Sequence, residues 1–357
     1  MKAKKWTRVW FAILIIIMPV IGIFNVVIDP YYIFKKELDF YEGPSSDKFV
    51  KTEYLKDNNN NFNSYMMSSS SLGTTDPKTI EKYLKDSKFY NLWGSSASLA
   101  DNRLHLEYMI EKKYNIKNLY LQIDLWNMNK YKPSPDLHPE VLGQQSLNAY
   151  LLTRMFSFNY KALRLKLTAF KDSNLELIRL NIKNGVFNYI NRDRLIKEDH
   201  KSYVDNEKTF KEDYKKDIKF TMQEKIKEHL KIIKDLCEKN KINLIVFITP
   251  HSSIQFQTFN TESYLEFLGA VAVDNNFYNF SGYNSITTNN YNYYDKDHYF
   301  SNIGKLIAAR IFNDTSVNVP SDFGVYITNE NINEHLENLK KEIEKHDENH
   351  GDGQTLL

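Results

Sequence analysis

From Val9 to Ile28 the chain runs 20 residues with a single polar side chain, Asn25. This run constrains the fold most, because about 20 apolar residues are what a helix needs to cross a hydrocarbon core of about 30 Å. Ahead of it, Met1 to Arg8 carry Lys2, Lys4, Lys5 and Arg8 and no acid. A basic flank of this kind holds an N-terminus in the cytoplasm and puts the rest of the chain on the outer side. A cleaved signal peptide would have a shorter apolar region, about 7–15 residues, and small residues at its cut site. Phe24-Asn25-Val26-Val27-Ile28 offers no such site. The expectation is a single-pass membrane protein: a cytoplasmic basic end over 1–8, a transmembrane anchor over 9–28, and an extracytoplasmic domain.

Residues 30–357 suffice for one sizeable domain with insertions. Lys and Arg number 47 against 45 Asp and Glu, so no basic footprint for nucleic acid is visible. Cys237 is alone, which excludes an intramolecular disulfide. An exported domain without disulfides depends on its core, and a hydrophobic share of 42% makes one feasible. Residues 29–61 are polar, with Asp57-Asn58-Asn59-Asn60-Asn61 at their end, and read as a linker.

Beyond the linker, strands and helices alternate. Phe62–Met67 has strand character and runs into Ser68-Ser69-Ser70-Ser71. Asp76-Pro77 opens a helix that uses Ile80, Tyr83 and Leu84. Lys88–Trp93 is a short strand ending at Gly94, Ser98–Tyr114 an amphipathic helix, and Leu119–Ile123 a buried strand ending at Asp124. This rhythm predicts right-handed crossovers and a parallel sheet. Residues 135–235 interrupt it with helical periodicity over 149–170 and again over 220–239, and read as a helical insertion or cap. The alternation resumes with Ile242–Ile248, a short helix near 263–268, a last strand over 277–280 and a helix over 302–312. The folded domain thus spans 62–320. The charged tail 321–357 holds one amphipathic pattern, Ile332, Leu336, Leu339 and Ile343, with a frayed end.

In an open parallel sheet, ligands bind at the carboxyl ends of the strands. Three features fall there: the serine run, Gly94, and Asp295-Lys296-Asp297-His298. A histidine works as a general base when a second group fixes its tautomer and supports the imidazolium. Asp295, one turn ahead of His298, can do so. A serine at a strand-to-helix turn can expose its hydroxyl while its own N–H faces the same reacting centre. His251, after Thr249-Pro250, sits at a strand end on the same rim, as does Asp124, and both are candidates for substrate contact. The aromatic stretch Tyr278–Tyr294 is a candidate wall for a carbohydrate groove. His346 and His350 lie in the charged tail, and metal binding needs more ligands at defined spacing; neither a metal nor a cofactor is expected.

Taken in order, these blocks resemble the SGNH-hydrolase-like superfamily, in its membrane-anchored cell-envelope branch. The resemblance begins at Ile28-Asp29-Pro30-Tyr31-Tyr32-Ile33-Phe34 and continues through Tyr65-Met66-Met67-Ser68-Ser69-Ser70 and Phe89-Tyr90-Asn91-Leu92-Trp93-Gly94. It closes with Asp295-x-x-His298. It covers residues 28–125 and 240–312, not the insertion or the tail. It implies an α/β three-layer sandwich around a parallel sheet of SGNH or flavodoxin-like type. Ser69 or Ser70 would be the nucleophile, with Ser69 the nearer match counting back from Asp76-Pro77. His298 would be the base and Asp295 its orienter, and the N–H of Gly94 an oxyanion donor. Two departures stand out: Met67 or Ser68 replaces the first-block glycine, and the third-block oxyanion asparagine is replaced by Asp124, leaving Asn127 as a substitute donor.

The resemblance implies ester chemistry through an acyl-serine: O-acylation, such as O-acetylation, of an exported polysaccharide or teichoic acid. A membrane-bound O-acyltransferase would be the partner that supplies the acyl group. The same residues would serve a deacylating carbohydrate esterase. A third reading is a non-catalytic polysaccharide-binding or assembly subunit on a degenerate fold.

Overall fold

The computed structural model describes the chain except for residues 1, 30–31, 35–38, 42–46, 144–145, 158–159, 170, 172–174, 212–217 and 351–357. Pro30 and Tyr31 of the Asp-Pro-aromatic segment, part of the linker and the end of the tail therefore lie outside the described residues. Nine strands are described: β1 (Asp39–Tyr41), β2 (Ser64–Met67), β3 (Phe89–Asn91), β4 (Asn118–Ile123), β5 (Leu177–Asn181), β6 (Val186–Tyr189), β7 (Asn243–Ile248), β8 (Phe277–Asn279) and β9 (Val325–Ile327). Six of them form the central sheet in the order β3-β2-β4-β7-β8-β9. The first five are mutually parallel, and β9 closes the edge antiparallel to β8. The chain is thus α/β, with a mostly parallel central sheet flanked by helices.

Side-chain alternation along the strands splits the interior into two cores. Tyr65, Met67, Leu119, Leu121, Ile123, Val246 and Ile248 face one side. There they meet the helices Leu99–Glu111, Gln223–Lys239 and Thr261–Ala272. Met66, Tyr120 and Phe247 face the other side, against Leu72, Ile80 and the helix Ser301–Ile311. The order reverses between β2 and β4, because the chain first steps outward to β3 and then returns past β2. Such a switch point leaves a crevice beyond the strand ends. The serine run follows β2 and Asp124 follows β4, so both stand at that crevice.

Four expectations need correction. The polar stretch 29–61 is not all linker: Asp47–Asn58 is a helix, and its Phe49, Val50 and Leu55 are buried. The helix expected from Asp76 is one turn, Lys78–Glu81. The insertion is not purely helical. It contains the hairpin β5–β6, and β5 pairs with β1 to make a three-stranded antiparallel sheet. The tail supplies β9 and then the helix Ile332–His350, whose Ile332, Leu339 and Ile343 are buried against the first core.

The N-terminal helix, Lys2–Ile28, is long and apolar enough to cross a membrane. Its side chains from Lys4 to Val20 are exposed, whereas Gly22 and Asn25 are buried against the insertion. Asp29 ends it, accepting from the N–H groups of Ile33 at 2.9 Å and Phe34 at 3.1 Å.

Candidate active site

The strand β2 is buried along its whole length and ends in a tight turn. Ser69 caps the 3-10 turn Ser70–Leu72 in extended conformation, which places consecutive hydroxyls in different surroundings. Ser68 and Ser69 are buried, and Ser70 is partly exposed. The Ser69 hydroxyl donates to Asp124 Oδ2 beneath the turn. The Ser70 hydroxyl lies 2.9 Å from His298 Nε2, across 228 residues of sequence. Sequence alone favoured Ser69 narrowly; the geometry selects Ser70. The reason is that the turn of the 3-10 helix swings each successive side chain to a new direction.

His298 is held from both sides. Asp295 Oδ1 accepts from the N–H groups of Asp297 and His298, each at 2.9 Å, so the carboxylate organises the turn it belongs to. Nδ1 of His298 lies 2.8 Å from Asp295 Oδ1 and 3.0 Å from Oδ2. A carboxylate only accepts, so Nδ1 carries a proton and Nε2 is left to face Ser70. The turn is pinned to the loop after β7, where Ser252 donates its N–H and its hydroxyl to the Lys296 carbonyl at 3.2 and 2.9 Å.

Sequence reasoning missed a fourth residue. Arg192, in the helix Ile190–Glu198 that follows β6, donates to Asp295 Oδ2 at 2.5 Å and lies over the Tyr189 ring. Tyr189 stands edge-on to His298, ring centres 6.0 Å apart. The hairpin also grips the serine turn. Phe187 N–H donates to the Gly73 carbonyl at 3.0 Å, and a Cβ on Gly73 would fall 2.1 Å from the Phe187 ring. The insertion thus touches both halves of the site. An arginine in a charged, aperiodic segment gives no signal in sequence; only the fold brings it to Asp295.

Electrostatics follow from this packing. Burial opposes a charge on His298, but Asp295 outweighs it and raises the imidazole to about 9. Burial likewise opposes ionisation of Asp295; His298, Arg192 and the turn's N–H groups reverse that and hold it well below the usual carboxylate range. His298 in this resting state is therefore charged at neutral pH, and must lose that proton before it can act as a base.

Asp124 and His251 form a second pair beneath the serine turn. Their Oδ1 and Nε2 atoms are 3.0 Å apart, and Asp124 also accepts from Ser71 Oγ at 3.2 Å and Trp126 N–H at 3.0 Å. Burial would raise the Asp124 carboxyl, yet His251, the Ser69 hydroxyl and the Trp126 N–H hold it at about 2; burial opposes and Asp124 favours the His251 charge, with a net rise. His251 Nδ1 stands 3.8 Å from Asp297 Oδ1, and neither atom has a hydrogen-bond partner among the described residues. His251 is 1% exposed. The expected substrate contacts by His251 and Asp124 are thereby corrected: the two are locked to each other and support the turn from within.

The oxyanion expectations are also revised. The Gly94 N–H donates to the Ser68 carbonyl at 3.0 Å, so it already has an acceptor. What Gly94 does is admit Lys48, whose Cε would lie 2.9 Å from an added Cβ. Asn127, in the 3-10 turn Leu125–Asn127, is buried, and among the described residues no hydrogen bond joins it to the serines or to His298. The Ser70 N–H is the remaining donor beside the candidate nucleophile, with no hydrogen-bond partner among the described residues. Of the aromatics of 278–294, Phe280, Tyr293 and Tyr294 are core residues, Tyr291 is exposed, and Tyr278 lines a cleft with Tyr326 at the amino ends of β7 and β8, away from the serine turn. No group of side chains suited to a metal ion occurs among the described residues.

No protein-family model matches the chain, and no curated protein matches it.

Proposed function

We propose that this chain is a membrane-anchored serine acyltransferase of SGNH-like type, acting on the outer side of the membrane. The observation that carries this reading is the continuous relay Ser70 Oγ, His298 Nε2 and Nδ1, and Asp295, with contacts of 2.9 and 2.8 Å. The relay stands at the crevice where the strand order of the sheet reverses. The strand order and the residues quoted for the resemblance support SGNH-like kinship, and the N-terminal helix supports anchorage.

In this mechanism neutral His298 takes the Ser70 proton on Nε2 as Oγ attacks the acyl carbonyl. Asp295 stabilises the imidazolium that forms. The tetrahedral oxyanion meets the Ser70 N–H. As the bond to the donor's oxygen breaks, His298 returns the proton to that oxygen, leaving an acyl-serine. An acceptor hydroxyl then gives its proton to His298 and attacks the acyl carbon; as the acyl–Oγ bond breaks, His298 passes that proton to Ser70 Oγ. The acceptor is a hydroxyl of an exported cell-envelope polysaccharide or teichoic acid, and the donor a membrane-bound O-acyltransferase. With water as acceptor the same steps give an esterase. The occupied Gly94 N–H favours a second reading, a binding or assembly subunit in which the site no longer turns over, because losing one oxyanion donor costs about 10²–10³ in rate.

The full chain in lipid is assayed for acyl release from a chromogenic ester, beside Ser70→Ala and His298→Ala. Turnover that both substitutions abolish supports the catalytic reading. Equal inertness of all three toward esters and acylated glycan overturns it in favour of the binding subunit. Release without transfer to added glycan, with the membrane partner present, identifies the esterase.

A further inference from the structure

We propose that the two-helix segment Leu147–Phe156 and Tyr160–Ala169 is a membrane seat: it lies in the lipid–water boundary beside the N-terminal helix and fixes the height of the serine site above the bilayer. The proposal rests on the reading of Lys2–Ile28 as a membrane span.

Contacts of the N-terminal helix set the depth. Asn25, the one polar residue of the apolar run, is 1% exposed. Its amide donates to the carbonyls of Met155 at 2.8 Å, Ser157 at 2.7 Å and Arg154 at 3.4 Å. These carbonyls lie at the C-terminal end of the helix Leu147–Phe156, and the Ser157 hydroxyl also donates to that of Arg154, at 3.3 Å. One turn earlier Gly22 leaves room for the insertion: an added Cβ would sit 3.0 Å from both Met155 Cε and Phe156 Cε1. The end of the helix Leu147–Phe156 is therefore locked at the level of residues 22–25. At about 1.5 Å per residue, Gly22 and Asn25 lie roughly 9 and 5 Å inside Ile28, the last apolar residue. Interfacial helices bury their apolar face about 5–10 Å into the headgroup–acyl boundary. The two depths coincide.

The surface chemistry agrees. Leu152 is 56% exposed and Phe156 36%, and at one turn's spacing they share a helix face. Tyr160 is 63% and Leu167 54% exposed. Burial of such side chains in lipid is favourable, and tyrosine at a boundary keeps its hydroxyl in water. Arg164 is exposed on the second helix, where its long stem lets the charge reach phosphates. The first helix also packs on the protein through its other face. Tyr150 stacks on Phe49 with ring centres 5.4 Å apart, in the same core cluster as Tyr189, which flanks His298. Lipid, seat and catalytic histidine are connected through one packed cluster, so the site does not swing from a loose tether.

The test uses the full chain in nanodiscs of phosphatidylcholine and phosphatidylglycerol, with a nitroxide at Leu152→Cys, Phe156→Cys, Tyr160→Cys or Leu167→Cys in separate proteins. Ile16→Cys and Asn206→Cys serve as lipid and water references; Cys237 is buried and escapes labelling. The ratio of oxygen to nickel-complex collisions at positions 152 and 156 should exceed that at 206 several-fold and fall below that at 16. All substituted positions are exposed, and four seat positions keep the result independent of any one variant. If the seat labels behave like that at 206 while Ile16 is in lipid, the seat is overturned and the span stands; that outcome also means another protein, if anything, covers this face. If the label at Ile16 is itself in water, the span reading fails and the seat with it.

Discussion

Arg192 donates to Asp295 Oδ2 at 2.5 Å, so the acid that orients His298 is itself held by a residue from the middle of the chain. Its positive charge stabilises the Asp295 carboxylate and opposes the charge on His298. Both effects act on the pH at which His298 becomes a base. The proton must leave His298 before Ser70 can be activated, so kcat/KM for an ester should climb to a plateau above about pH 9. Arg192→Ala should move that limb to higher pH and lower the rate by about tenfold to a hundredfold, since a hydrogen bond to a charged group is worth about 1.5–3 kcal/mol. A lowered rate with an unmoved limb would reduce Arg192 to a packing role.

Ser69 and Ser70 are neighbours with different partners, and their alanine variants should differ in kind. Ser70→Ala removes the proposed nucleophile and should reduce turnover by at least about 10³-fold with little change in melting temperature. Ser69→Ala takes a donor from buried Asp124 and should cost about 1–3 kcal/mol of stability, while turnover per folded molecule stays within about tenfold of wild type. Paired melting and ester assays decide it; the opposite pattern would return the nucleophile to Ser69.

The His298–Asp295 pair also predicts a pH dependence of stability. His298 titrates near 9 when folded against an ordinary 6.5, so protonation favours the native state. Its contribution is complete below about 6.5 and disappears as pH rises through about 9. The Asp295 contribution has the opposite sense, present above about 3.8 and lost as acid reaches its depressed value. The melting-temperature advantage of wild type over His298→Asn should therefore shrink between about pH 6 and about pH 10. Taking the difference cancels His251, shifted in the same direction, and Lys51, whose ammonium burial depresses to about 7 and which acts in the opposite sense. Parallel curves would contradict the pairing.

Beneath the turn, His251→Ala would leave the Asp124 carboxylate buried without its charged partner. Breaking a buried pair in this way costs about 3–5 kcal/mol. Asp124 also holds Ser69 and Ser71, the residues on either side of the nucleophile, so kcat should fall even where KM does not. Urea unfolding and steady-state kinetics on His251→Ala give both numbers. A neutral result in unfolding would mean that the pair contributes nothing net to the fold.

The parallel core of the fold was legible because each buried strand is a short apolar run closed by Ser, Gly, Asp or Thr-Pro, and each connecting helix has its own period. Asp295 and His298 were legible because they stand three positions apart and the chemistry of orientation demands little more. The nucleophile was not fully legible: four identical residues carry no register, and only the 3-10 turn distinguishes Ser70 from Ser69. Arg192 and the β5–β6 hairpin escaped because their partners, Asp295, Gly73 and β1, lie far away in sequence. Gly94 was misassigned for a physical reason, since sequence shows a glycine but not whether its N–H already has an acceptor. The strand β9 was hidden by its length, three residues inside a polar stretch.

Ser70 and His298 are separated by 228 residues, with the insertion that braces both lying between them. At about 5–20 residues per second, a ribosome needs roughly 10–45 s to pass from one to the other. Throughout that interval the growing chain carries a serine with no base beside it. On the proposed function, competence for acyl chemistry is thereby tied to near-complete translation: a chain truncated anywhere before residue 298 lacks the base, whatever part of it has folded.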